Sequence, residues 1–191
     1  MSSISSPPQR TPPRAYLAVI RSIDQFTEWT AYPFVLLIIP LILANVIEVF
    51  ARYVLKAPTV WALDVTTMSY AALFMLGCAL ALLKGAHVRT DILWEGFSDR
   101  TKGMIDSLAF VLLFLPTMAV LFFISIDDFL YSLSINERSS SGAWTPILWP
   151  LRGVIPLTAF MLFLQGVSEL MKSVWAWRTG EFLTSQEKVE V

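Results

Sequence analysis

The chain is poor in the side chains that build most metal and nucleophilic sites, since it contains one histidine, His87, and one cysteine, Cys78. That supply is too small for the usual four-ligand zinc site, and it excludes a haem held by two histidines of this chain. An internal disulfide is excluded for the same reason. Neither standard glycine-rich phosphate-binding pattern occurs. We therefore predict a protein that is not an enzyme, with no catalytic, cofactor-binding or metal site of its own.

Charge is also scarce, because charged residues make up 15% of the 191 residues and the net charge is -1. Soluble domains carry roughly a quarter charged residues. No basic stripe is available to neutralise phosphates, so we expect no nucleic-acid partner. Hydrophobic residues reach 55% and the mean hydropathy is +0.62. This balance indicates a membrane protein surrounded by lipid.

Four apolar runs are long enough to cross the hydrocarbon layer, which takes roughly 20 residues of helix. They cover approximately residues 31–50, 65–83, 108–126 and 155–175. Backbone groups in lipid must be satisfied within the segment, and no alternating pattern suggests a barrel. We predict an all-α membrane protein with four transmembrane helices, forming one domain over residues 15–178 between a disordered tail, 1–14, and a second tail, 179–191.

Amphipathic segments adjoin two of these spans. Tyr16, Ile20 and Ile23 recur at helical spacing and predict a short interfacial helix before the first span. Apolar residues at similar spacing over residues 91–108 predict a second interfacial helix before the third span. Pro40 and Pro156 lie inside predicted spans, where each is expected to kink its helix.

The orientation follows from the distribution of the 14 lysines and arginines. Most flank the span ends that include both termini, and few flank the opposite ends: Arg52, Lys56, Arg138 and Arg152. The positive-inside rule therefore predicts that both termini lie in the cytoplasm.

Several polar residues near the outer ends of the first two spans require an explanation. Glu48 and Arg52 are four residues apart, which predicts an ion pair that secures the helix end or contacts another subunit. Asp64 follows Trp61 at the start of the second span, where a carboxylate stabilises the positive end of the helix dipole. Trp61 itself is typical of a membrane-interface anchor.

Small residues recur along the second span, where Gly77, Ala81 and Gly85 are spaced four apart. Such a face lets another helix approach closely, either within the bundle or from a partner. In the fourth span, Gln165 and Glu169 are predicted to form interhelical hydrogen bonds rather than a proton path.

The stretch LLKGAHVRTDIL, residues 82–93, concentrates charge around the lone histidine. Lys84 and Arg89 are expected to hold the helix end at the cytoplasmic surface, and Asp91 to cap the following interfacial helix. A catalytic or transport role for His87 competes with a structural role. We favour a bend at His87 that packs locally or contacts a partner.

Three stretches, in this order, carry a resemblance to a known family: ARYVLKAPTVWALD, LGCALALLKGAHVRTDIL and WTPILWPLRGVIPLTAFMLFLQGVSEL. Together with four spans they resemble DctQ, the small membrane subunit of tripartite ATP-independent periplasmic (TRAP) transporters. The resemblance covers about residues 20–178.

This resemblance implies a scaffold subunit in the bacterial inner membrane, bound to a large multi-span DctM-like subunit that moves as an elevator. A periplasmic solute-binding protein would deliver an organic acid or related solute, and a cation gradient, usually of sodium, would drive uptake. Arg52 and Tyr53 match the family's RY pair, and Trp61 its loop tryptophan. Gly85, His87 and Asp91 match its GxHxxxD-like stretch. Leu63-Asp64 departs from a glutamate pair common in the family.

Two other functions remain open from the sequence. Four-helix membrane anchors of quinone-linked oxidoreductases have this size, and His87 is one candidate ligand there. A small channel made by self-association is the second. A haem spectrum would identify the first, and flux without any partner would identify the second.

Overall fold

The computed structural model describes residues 12–85, 97–140, 143–181 and 183. These residues are almost entirely helical, and the described part contains no strand beyond an isolated bridge between Arg138 and Ile147. Within these ranges, four helices are long and apolar enough to cross a membrane. The predicted all-α architecture with four spans is confirmed.

The first span is built from two helices in line, α1 (Arg14–Val35) and α2 (Ile38–Tyr53). The turn between them lies just before Pro40, which has no N–H to donate to the carbonyl of Leu36. That carbonyl instead accepts a bond from Ile39 at 3.0 Å, which tightens the turn. The amphipathic segment expected as a separate helix is therefore the beginning of α1, continuous with the span.

The second span, α3, runs from Ala62 to Leu83. Gly85 lies just beyond its end with a φ of 66°, a left-handed conformation that glycine adopts without a Cβ penalty. Its N–H donates to the carbonyl of Leu82 at 3.1 Å, which closes the last turn. Gly85 thus ends the helix instead of extending the small-residue face of Gly77 and Ala81.

The third span is one long helix made of α4 (Asp99–Ala109), a π turn (Phe110–Phe114) and α5 (Leu115–Ser134). The part of the predicted interfacial segment from Asp99 onward is thus continuous with the span, whereas residues 91–96 lie outside the described residues. Ser98 caps the beginning of α4, because its Oγ accepts the N–H of Thr101 at 3.3 Å.

The π turn has an identifiable cause in Pro116. Proline cannot donate to the carbonyl four residues earlier, and a wider turn is a common solution inside a helix. The N–H of Leu115 accordingly donates to the carbonyl of Phe110, five residues back. The helix continues without a break to Ser134.

The last helix, α6 (Trp149–Thr179), lies at the centre of the arrangement and packs against α1, α3, α4 and α5. It runs through Pro156 without interruption. Its contact with α4 is close enough that a Cβ on Gly103 would lie 2.5 Å from the backbone nitrogen of Trp177. The buried core against α3 consists of Ala72, Leu76, Ala79 and Met161.

The helices form an open arrangement around α6. The third span packs mainly on α6, whereas the first and second spans pack on each other and on its other side. Only 6% of the most apolar part of the third span and 11% of that of the first are buried, against 39% in α6. Most of the apolar surface therefore remains available to lipid or to another protein.

Candidate partner-binding faces and polar clusters

An ion pair at the end of α2 fixes the loop that follows it. Arg52 Nε donates to Glu48 Oε1 at 2.9 Å, so the pair predicted from the spacing is present. The other carboxylate oxygen accepts the backbone N–H of Thr59 at 2.8 Å and also its hydroxyl. Glu48 thereby ties the connection between α2 and α3 to the end of α2.

The beginning of α3 lies beside this connection. Trp61 precedes the helix, and its carbonyl accepts the N–H of Val65 at 3.1 Å. Asp64 is buried in the first turn, where the helix dipole stabilises a carboxylate, and its Oδ2 has no hydrogen-bond partner within the described structure. Asn45 joins α2 to α3 through a bond of 3.2 Å to Thr66 Oγ1.

A second polar cluster pins the connection between α5 and α6. The Arg152 guanidinium donates to Asp128 Oδ2 at 2.6 Å and to Glu137 Oε1 at 2.8 Å. The hydrogen bond from Arg152 lowers the pKa of Glu137 from its ordinary value. The carbonyl of Glu137 also accepts the N–H of Leu148 at 2.8 Å. One cation therefore holds α5, the connecting segment and α6 together.

An inner polar cluster joins α1 to α6, and its members are Asp24, Thr27, Gln165, Ser168, Glu169 and Lys172. Lys172 Nζ lies 2.8 Å from Asp24 Oδ2 and 2.7 Å from Glu169 Oε1. Gln165 accepts the Thr27 hydroxyl at 2.8 Å and donates to Asp24 at 3.0 Å. Gln165 is therefore the interhelical hydrogen-bonding group that was predicted, while Glu169 bonds within α6 and supports Lys172.

The sequence interpretation missed Asp24 and Lys172 as parts of this cluster. A signal was present in α6, because polar residues recur at positions 165, 168, 169 and 172, which share one helix face. In α1, Thr27 and Asp24 lie on the corresponding inward face. Partially buried charges in a span are expected to be paired, and the ion pair between Asp24 and Lys172 explains why both residues occur there.

The outward side of α3 carries a row that we call the α3 stripe: Leu63, Thr67, Tyr70, Phe74 and Gly77. The spacings of four and three place these residues on one face. The rings of Tyr70 and Phe74 stack with centroids 6.3 Å apart. A Cβ placed on Gly77 would meet no atom within 4 Å, so this part of the face is open. Ala81 continues the row and is half-buried.

A groove of about 340 Å³ lies beside the π turn of the third span. Phe110, Leu113, Phe114 and Met118 give it mostly apolar walls, and Asp106 and Thr117 add two polar groups. Its lining is that of a lipid-facing surface rather than that of a site for a charged solute.

Comparison with known families gives a direct match. The family model described as "Tripartite ATP-independent periplasmic transporters, DctQ component" matches residues 41–175. The chain belongs to the DctQ family. No match was found among curated proteins or among solved structures.

The matched DctQ region extends from α2 almost to the end of α6, so it includes the polar clusters around Glu48 and Arg152 and the α3 stripe. DctQ proteins are transporter components, not enzymes. The resemblance to DctQ that the three sequence stretches indicated is confirmed. Three residues predicted from the sequence, His87, Arg89 and Asp91, lie outside the described residues. Of the others, Glu48 and Arg52 pair with each other, and Gly77 and Ala81 share one face of α3.

Proposed function

We propose that the chain is the small scaffold subunit of a TRAP transporter in the bacterial inner membrane, with both termini in the cytoplasm. Its role is to bind and stabilise a large DctM-like subunit that moves the solute. The transporter takes up an organic acid or related solute, delivered by a periplasmic binding protein, and uses a cation gradient, of sodium in the usual case.

One structural observation carries this proposal beyond the family membership. The four spans are arranged openly around α6, and only 11% and 6% of the most apolar parts of the first and third spans are fully buried. A bundle that enclosed its own solute path would bury inward-facing residues on every span. An open array is instead suited to covering the side of a larger membrane protein, which favours a scaffold over the oxidoreductase anchor.

The α3 stripe is the face that we assign to the large subunit. Tyr70 lies eight residues into α3, about 12 Å from its outer end, and is 61% exposed. A hydroxyl facing hydrocarbon at that depth lacks a hydrogen-bond partner, whereas a neighbouring helix can supply an acceptor. The open space over Gly77 allows such a helix to come close.

The polar clusters around Glu48 and Arg152 support a second part of the proposal. Glu48 holds Thr59 in the first outer connection, and Arg152 holds Glu137 in the second. Both connections are thus fixed by charged hydrogen bonds, and both lie at the same end of the array. We assign this end to the periplasm, where a preformed surface helps to receive the binding protein.

Co-purification tests the proposal most simply. The tagged chain is co-expressed with the large subunit encoded in the same organism and extracted in mild detergent. We expect a stable complex of one small and one large subunit. Recovery of this chain only as a monomer or as a self-associated assembly, with the large subunit absent, would contradict the scaffold function.

A further inference from the structure

The exposed side of α1 and the residue just after its end carry a row of residues, which we call the α1 stripe: Arg14, Ala18, Arg21, Gln25, Trp29, Tyr32 and Leu36. Their spacings of three and four place them on one face of the helix. The opposite face carries Ile20, Thr27 and Ala31, which are buried inside the protein. Trp29 is 78% exposed and Tyr32 is 68% exposed, so the stripe is open along its length.

The chemistry of the α1 stripe changes in one direction. Two arginines come first, two aromatic residues follow, and aliphatic residues continue into the span. Trp and Tyr prefer the boundary between hydrocarbon and headgroups, and arginines prefer the headgroup side of that boundary. Arg21 lies eight residues before Trp29, about 12 Å along the helix axis. The long side chain of Arg21 shortens the distance from its guanidinium to the boundary that Trp29 marks.

The two arginines of the α1 stripe differ from three lysines near the end of the array where α1 begins, because those lysines have carboxylate partners. Lys84 pairs with Glu28 at 3.1 Å, Lys102 with Asp99 at 3.7 Å, and Lys172 with two carboxylates of the inner polar cluster. Among the described residues, no carboxylate pairs with Arg14 or Arg21, and both are exposed. Their charge is therefore available to an external anion.

We propose that the α1 stripe binds anionic phospholipid headgroups, with Arg21 at the phosphates and Arg14 adding to the attraction. The occupant is lipid rather than protein because the order of the side chains follows that of a membrane interface. The arginines come on the headgroup side, and the exposed Trp29 and Tyr32 come at the boundary with hydrocarbon. The α1 stripe then faces the bilayer and fixes the depth of the first helix, while the α3 stripe is left for protein.

The experiment measures which lipids the full-length chain retains. The purified protein is placed in nanodiscs of mixed phosphatidylcholine and phosphatidylglycerol, re-extracted in mild detergent and analysed by native mass spectrometry. We expect phosphatidylglycerol to be retained preferentially. The preference should fall by between about fivefold and about 30-fold in the Arg14→Gln/Arg21→Gln variant, the range for losing one or two interfacial cations.

The matched control is Arg14→Lys/Arg21→Lys, which keeps both charges and should keep most of the preference. High salt should weaken the preference of the wild-type chain, because exposed charges are screened. Equal retention of both lipids by the wild type would overturn the proposal. A glutamine variant that keeps the full preference would do the same. Loss of the large subunit from that variant in the co-purification experiment would also overturn the proposal, because the α1 stripe would then contact protein.

Discussion

Replacement of Gly77 by leucine separates the fold of the chain from its assembly. A Cβ at this position meets no atom within 4 Å, so the side chain has room on the isolated protein. Gly77 lies inside α3, where leucine is a better helix former than glycine by roughly 1 kcal/mol. We therefore expect Gly77→Leu to fold with unchanged or slightly higher thermal stability when the chain is alone.

Assembly should respond in the opposite direction if the α3 stripe receives a helix of the large subunit. Forcing a leucine into a close helix contact costs about 1–3 kcal/mol, as overpacking does in protein cores. That range corresponds to about 5- to 150-fold weaker association. The expected result is loss of most of the co-purified large subunit, with a parallel loss of solute uptake.

The assay compares yields of the complex after co-expression, with the melting temperature of the free chain measured in the same detergent. Ala18→Leu is the matched control, because it adds a similar volume on the α1 stripe, which faces lipid in our account. It should leave the yield unchanged. Wild-type yield of the complex from Gly77→Leu would refute the assignment of the α3 stripe to the large subunit.

Three further predictions concern the fold itself. Lys172→Met leaves two partly buried carboxylates of the inner polar cluster without their cation. The free energy of unfolding in detergent should therefore fall by about 2 kcal/mol. An unchanged free energy of unfolding would show that the cluster is solvated. Because the pKa of Glu137 is lowered, its contribution to stability is present above the ordinary value of 4.5 and is lost as pH falls through the lowered folded-state pKa. Glu137→Gln should flatten the decrease in the melting temperature on the acid side. Identical profiles of melting temperature against pH for the wild type and the variant would contradict the stabilising role of ionised Glu137. Gly103→Ala places a Cβ against the backbone of Trp177 and should lower the melting temperature, unlike Gly77→Ala; equal effects would argue against the close approach of α4 and α6.

The number and type of spans could be predicted because apolar runs of that length have one physical solution in lipid. The full helix lengths could not. Hydropathy marks only the part of a helix that crosses hydrocarbon, whereas the beginnings of α1 and α4 are polar and are held by contacts with α6. The pair of Glu48 and Arg52 was accessible from local spacing, but the pairing of Asp24 with Lys172 depends on which helices become neighbours.

Gly85 shows the limit of spacing arguments within one span. It continues the four-residue repeat of Gly77 and Ala81 in the sequence, yet α3 ends at Leu83 and Gly85 adopts a left-handed conformation. A repeat predicts a shared face only where the helix persists. The end of the helix depends on its last hydrogen bonds, which glycine allows to close in this way.

The central claim is that this chain is a required scaffold of a TRAP transporter. Reconstitution tests it most directly, with the large subunit placed in proteoliposomes with and without this chain, its solute-loaded binding protein outside and a sodium gradient imposed. We predict solute uptake only when both membrane subunits are present, with no uptake by this chain alone. Uptake at the full rate by the large subunit without this chain would contradict the account.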